Sequence, residues 1–110
     1  MLIEFEKLPE SVVPHFYGGE KEMRARMFSD SLCRIGVGTL LPGASIGEHR
    51  HGESAEIVYV LRGRGRAWCD GAEEGLAPGL CHYCPKGSSH SMTNDGEEDL
   101  VVLTVVPRQP

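Results

Sequence analysis

The chain reads as an all-β protein, a sandwich or barrel of short strands in one domain. Two observations point there. Fourteen glycines and seven prolines are spread along the 110 residues, and between them lie short runs rich in Val, Ile, Leu, Thr and aromatics. That is the rhythm of strands joined by turns. No segment carries the sustained apolar stripe of an amphipathic helix. A chain of this length buries a modest core as a single domain.

Taken in order, Leu2 to Glu6 alternates apolar and acidic residues and is expected as a first strand. Ser11 to Gly19, with Pro14 and Gly18-Gly19, is expected as loop, and Met23 to Phe28 as strand. Leu32 to Leu41 is a stronger strand, with Ile35, Val37, Thr39 and Leu41 on one face; Pro42-Gly43 turns the chain. His49 to His51 is followed by Glu56 to Leu61, the strongest β run. Gly63 to Gly65 leads into Arg66 to Cys69, and Asp70-Gly71 is a hairpin signal. Pro78-Gly79 turns into Leu80 to Cys84. Asp95-Gly96 separates Ser91–Asn94 from the last strand, Leu100 to Val106, which Pro107 ends.

Two ordered patterns carry the chemistry. The first is Gly43-x5-His49-x-His51-x4-Glu56-x6-Gly63; the second is Gly79-x5-Pro85-x-Gly87-x2-His90-x3-Asn94. On an extended backbone His49 and His51 project to one face, with Cβ atoms roughly 6.5–7 Å apart. Both rings then reach one ion at ~2.0–2.1 Å. A short turn through Gly52-Glu53-Ser54 brings Glu56 beside them, and only a folded-back sheet brings His90 alongside. Three imidazoles and a carboxylate suit a divalent transition metal, with iron, manganese, nickel, zinc and copper all eligible. A single histidine on a strand is ordinarily a core or surface residue, and His15 and His82 are read that way. Glu48 and Glu53 are read as solvent-facing, with a role behind the ligands as the lesser alternative for Glu48. Gly63 and Gly87 fall where the chain reverses and positive φ is needed.

The balance of 16 acidic against 11 basic residues, net charge -5, argues against a nucleic-acid partner. Arg62, Arg64 and Arg66 are read as a solvated face, with a phosphate or carboxylate contact as the alternative. Met1 to Glu6 has no basic region before a long apolar run, and no stretch reaches the ~18 apolar residues that cross a bilayer. No membrane association and a cytoplasmic setting are therefore expected. Cys33, Cys69, Cys81 and Cys84 are then expected to be reduced. Within Cys81-His82-Tyr83-Cys84 the two sulfurs should diverge, because strand residues three apart face opposite ways.

At these ten positions the chain resembles the cupin superfamily, whose two motifs are matched in full. Fifteen residues, Arg64 to Pro78, separate the motifs, a compact spacing similar to that of microbial members. The resemblance is firm over Leu32 to Pro107 and loose before it. It implies a double-stranded β-helix (jelly-roll) barrel over residues 32–110, with residues 1–31 as N-terminal strands and loops of the same domain. It implies a metal held by His49, His51, Glu56 and His90. It also implies a homodimer, commonly formed through N-terminal strands; Tyr59 and Trp68 are expected to point away from the interior and to be available for such an interface.

Four protein ligands on an ion that accepts six leave two positions for water, dioxygen or a bidentate small-molecule substrate. By strand parity Val58, Val60 and Met92 should give the pocket an apolar wall. No second acid–base pair is evident. The leading expectation is a small metalloenzyme acting on a compact organic acid, phenol or sugar derivative, by dioxygenase-type oxidation or by isomerisation or decarboxylation. The alternatives are a non-catalytic cupin that binds a small molecule or metal, and a sensor-like regulatory module without a DNA-binding segment.

Overall fold

The computed structural model describes residues 1–110 and consists of ten strands in two antiparallel sheets. The strands are β1 (Glu10–Pro14), β2 (Glu22–Ser29), β3 (Cys33–Leu40), β4 (Ser45–Arg50), β5 (Glu56–Arg62), β6 (Gly65–Cys69), β7 (Ala72–Leu76), β8 (Cys81–Cys84), β9 (Ser89–Thr93) and β10 (Leu100–Pro107). The first sheet runs β1-β2-β3-β10-β5-β8 and the second β4-β9-β6-β7. Short 3-10 turns cover Phe5–Lys7 and Phe16–Gly18. No helix is long and apolar enough to cross a membrane. This is the double-stranded β-helix expected from the two motifs.

Period-two alternation sorts each strand between core and outer face. On β5, Val58 and Val60 are buried while Tyr59 and Leu61 are exposed; on β10, Leu100, Val102 and Thr104 face inward. On β3 the inward set is Gly36, Gly38 and Leu40, and Ile35, Val37 and Thr39 lie on the outer face. The core cluster joins Leu40, Val58, Val60, Ala67, Leu76, Met92, Leu100 and Val102 across both sheets.

Three expectations for the chain need correction. Leu2 to Glu6 is not a strand: it is irregular and ends in the first 3-10 turn, because no neighbouring strand pairs with it. Glu10–Pro14 is a strand rather than loop, paired with β2 from Glu10↔Arg26 to Pro14↔Glu22. Its proline sits at the end of an edge strand, where a missing N–H costs little. Ala72–Leu76, assigned no strand from sequence, pairs with β6 across the Asp70-Gly71 hairpin, whose two corner residues have φ of 49 and 84°.

The glycines of the two motifs behave alike. Gly43, Gly63, Gly79 and Gly87 have φ of 85, 86, 88 and 85°, a region closed to most side chains. The last motif residue, Asn94, is a buried brace. Its amide donates to the Leu40 and Glu98 carbonyls at 2.8 Å each, and its side-chain oxygen accepts from Gly96 N–H at 2.9 Å. The end of β3 and the loop into β10 are thereby tied to β9.

Candidate metal centre

Four side chains from three strands and one turn meet on one wall of the barrel. His49 lies on β4 and His90 on β9, and the two are direct cross-strand partners. That pairing closes the long sequence gap. His51 follows β4, and Glu56 opens β5.

A β-bulge aims the first histidine. Ile46 pairs with Met92, but His49 pairs with His90, so β4 gains one residue between them. The extra residue reverses the alternation. Ile46 and His49, three apart, therefore both face the cavity, while Glu48 is turned out to solvent. Regular pairing would have sent His49 outward and Glu48 in.

The donor atoms of His49, His51, Glu56 and His90 lie within 4.8 Å of one another. His90 Nε2 is 3.0 Å from His49 Nε2, 3.0 Å from His51 Nε2 and 2.9 Å from Glu56 Oε1; His51 Nε2 is 3.1 Å from Glu56 Oε1. Two ligand atoms at right angles, each ~2.1 Å from an ion, stand ~3.0 Å apart. The donor set thus fits a divalent transition metal in both chemistry and spacing.

The far side of each ligand is held. His49 Nδ1–H donates to Gly47 O at 2.9 Å, which leaves its Nε2 unprotonated toward the centre. His51 Nδ1 lies 3.0 Å from Ser54 Oγ. Thr104 Oγ1 donates to Glu56 Oε2 at 2.7 Å. Behind His90 runs a longer chain: His82 Nδ1–H donates to Glu74 Oε1 at 2.6 Å, so His82 Nε2 accepts from His90 Nδ1–H at 3.0 Å. The His90 tautomer is thereby fixed with its Nε2 lone pair toward the other donors. The two rings stack with an interplanar angle of 9°.

Local electrostatics favour the ligating forms of His49 and Glu56. Burial holds the His49 imidazole below its ordinary range, outweighing its bond to Gly47 O. Burial alone would raise Glu56. The His51 and His90 imidazoles and the Thr104 hydroxyl outweigh it and hold the carboxyl well below the usual range.

Sequence reasoning missed two contributors. His82, read as an isolated histidine, is buried directly behind His90. The signal was parity: β8 exposes Cys81 and Tyr83 and buries His82 and Cys84. The same parity separates the two sulfurs as expected, and burial pushes the Cys84 thiol up to about 12. All four cysteines are free. The second contributor is the turn Phe16–Gly18, whose Tyr17 stacks on His49 with centroids 4.0 Å apart and rings 10° from parallel. His15, Tyr17 and Lys21 all have positive φ, 50, 53 and 54°, so this segment holds a conformation that costs free energy.

The remaining expectations divide as follows. His15 bonds to Gly19 O at 3.0 Å and takes no part in the donor cluster. Glu48 and Glu53 are exposed. Val58 and Met92 line the cavity, but Val60 does not; it is fully buried in the core beyond it. Tyr59 and Trp68 both sit on outward faces, Tyr59 41% exposed and Trp68 half-buried. Arg66 pairs with Glu73 and Asp95 on the surface, and Arg62 and Arg64 are exposed.

The Cupin domain family matches residues 36–106. The chain is 37% identical over 67 residues to the "Oxalate-binding protein" of Thermotoga maritima, a stretch covering 61% of this chain and 55% of that protein. It is 31% identical over 94 residues to an uncharacterized protein of Methanocaldococcus jannaschii, covering 86% of this chain and 66% of that one. The chain therefore spans between half and two thirds of the length of these curated relatives. Among solved structures, a T. maritima protein described as a predicted oxalate decarboxylase superposes with a TM-score of 0.92 at 26% identity, over 98% of this chain and 99% of that one.

Proposed function

Because this chain belongs to the cupin domain family, we propose that it is a metal-dependent enzyme that acts on a small chelating carboxylic acid. The observation that carries this reading is the convergence of four donor atoms within 4.8 Å on the wall of a cavity. His49, His51, His90 and Glu56 would hold iron, manganese, nickel, zinc or copper. When bound, the ion supplies Lewis-acid polarisation of a chelated carboxylate and, if iron or manganese, access to oxidative chemistry. The protein's share is positional. Gly47, Ser54, His82 and Thr104 fix the ligand rings and carboxylate, and the apolar lining excludes water from the acid being cleaved or oxidised. Decarboxylation and dioxygenase-type oxidation are the two reactions this arrangement serves best, and the names of the T. maritima relatives favour an acid over a phenol or sugar.

One observation favours the alternative, a non-catalytic binding protein. Apart from the four donors and Arg34, the cavity lining holds no ionisable side chain except Tyr17, so little is available for general acid–base work. Elemental analysis followed by turnover assays separates the two. Freshly purified protein should carry a divalent metal that His51→Ala loses for the most part; an unchanged metal content would overturn the ligand assignment. Carbon dioxide release or oxygen uptake with a panel of small acids should then be metal-dependent. Binding without any chemical change in the acids would favour the binding protein.

A homodimer belongs to the same proposal. Tyr59, Leu61 and Tyr83 stand 41, 47 and 53% exposed on the outer face of the six-stranded sheet, beside outward Ile57 and Leu103. A continuous apolar face of this kind is uncommon on a monomer, and a second copy is the occupant we propose.

A further inference from the structure

We propose that the ligand of this cavity is a monoanionic chelating acid with an apolar body, such as a branched or aryl 2-oxo acid, rather than oxalate, and that Gly38 provides the room for that body. This inference rests on the metal reading above and specifies its substrate.

The cavity holds about 330 Å³, within the range of sites that enclose a substantial organic ligand. Its donors all project from β4, β5, β9 and the turn after β4. The wall supplied by β2, β3 and β10 is mainly apolar, with Met23, Ala25, Met27, Gly38 and Val102; its polar members are Arg34 at the rim and Thr104, which is taken up by Glu56. Strand register aligns this wall, since Gly38 pairs with both Ala25 and Val102. Three of the chain's four methionines, Met23, Met27 and Met92, line the space. Their thioethers are adaptable and favour unsaturated or aromatic bodies.

The inward glycines of β3 differ. At Gly36 an added Cβ would lie 2.4 Å from Met27 Sδ and 2.8 Å from the Arg26 carbonyl, so close packing accounts for that glycine. At Gly38 the nearest atom would be 3.8 Å away. A Cβ fits there at ordinary contact distance, and any longer side chain would take up space in the cavity that Gly38 lines. Neither close packing nor positive φ requires glycine at 38; what its hydrogen atom leaves is space.

Charge points the same way. A divalent ion held by three neutral imidazoles and the Glu56 carboxylate retains one positive charge. A monoanion neutralises it. A dianion would leave one negative charge in excess, with only the solvent-screened Arg34 to offset it in a mainly apolar lining. The only cationic side chain in the lining is Arg34, exposed at the rim.

The test is calorimetric titration of the Mn(II)-loaded full chain with acids of one head and growing body: pyruvate, 4-methyl-2-oxopentanoate and phenylpyruvate, with oxalate alongside. Affinity should rise at least tenfold from pyruvate to phenylpyruvate. Gly38→Val should abolish that gain with metal content unchanged, and Gly38→Ala should reduce it partially. Equal affinity along the series, oxalate as the tightest ligand, or a gain that survives Gly38→Val in folded, metal-replete protein would overturn the inference. A wild-type chain that takes up no divalent metal would overturn the metal reading first, and this inference with it.

Discussion

At the scale of single residues, a carboxylate at the surface is wired to the centre of the molecule. Glu74 is 46% exposed, His82 not at all, and the two together set which nitrogen of His90 faces the other donors. His82→Phe keeps the bulk but removes the acceptor for His90 Nδ1–H. Metal affinity should fall about 10–100-fold, measurable by competition with a chromophoric chelator. The pH dependence is also argued here. In the folded protein His49 titrates below its ordinary 6.5, because burial disfavours the cation. Glu56 titrates below its ordinary 4.5, because donors outweigh burial. In both windows the unfolded chain binds more protons than the folded one, so stability rises with pH. Melting temperature of chelator-treated protein should therefore fall as pH drops below 6.5 and again below 4.5. Glu56→Gln should diminish the lower step, leaving the part due to Asp30 and Asp70, whose carboxyls hydrogen-bond donors also hold low. Among these residues the four ligands were legible because motif spacing names them. His82 and Glu74 were not, since they belong to no motif and only the pairing of β8 with β5 and the return of β7 bring them in.

Among the elements, the strands with dense β-branched or aromatic content were readable from sequence: β3, β5 and β10 lie within a residue or so of where the pattern puts them. The misread segments share a cause. Leu2 to Glu6 has strand-like alternation but no partner, while Ala72–Leu76 has a glycine and two glutamates and becomes a strand because β6 offers it a ladder. Local pattern records propensity; pairing decides. The bulge in β4 was signalled faintly by Gly47, since a glycine inside a strand often marks a bulge or a close backbone approach. Here it does both. A Cβ at Gly47 would fall 1.8 Å from the Tyr17 carbonyl oxygen, and one at Gly19 would fall 2.0 Å from that of Ser45. Gly47→Ala must therefore push the Phe16–Gly18 turn off β4. A stability loss of about 1–3 kcal/mol is expected by chemical denaturation. The stability loss should come with loss of the Tyr17–His49 stack, read as a change in the Tyr17 and His49 ring resonances by NMR.

The molecule as a whole is a barrel with one chemical wall and one sticky back. The same strand, β5, carries Glu56 and Val58 toward the cavity and Tyr59 and Leu61 toward the outside. Dimer formation should be visible by light scattering coupled to size exclusion at micromolar concentration. Tyr59→Glu places a charge in the middle of the outer face and should give a monomer that keeps its bound metal. A wild-type monomer at all concentrations would remove the dimer from the proposal. The fold class was legible from the spread of turns and the two motifs together. The shape of the cavity was not, because it depends on which side chains are missing from the inner wall.

Gly19 and Gly47 have a consequence for descent. Where they meet, main chain rests on main chain with no side chain between, so neither position can drift alone. A homologue bearing any larger residue at either site must have rebuilt the Phe16–Gly18 turn over His49, and with it the part of the cavity that Phe16 and Tyr17 line, even where all four ligands are retained.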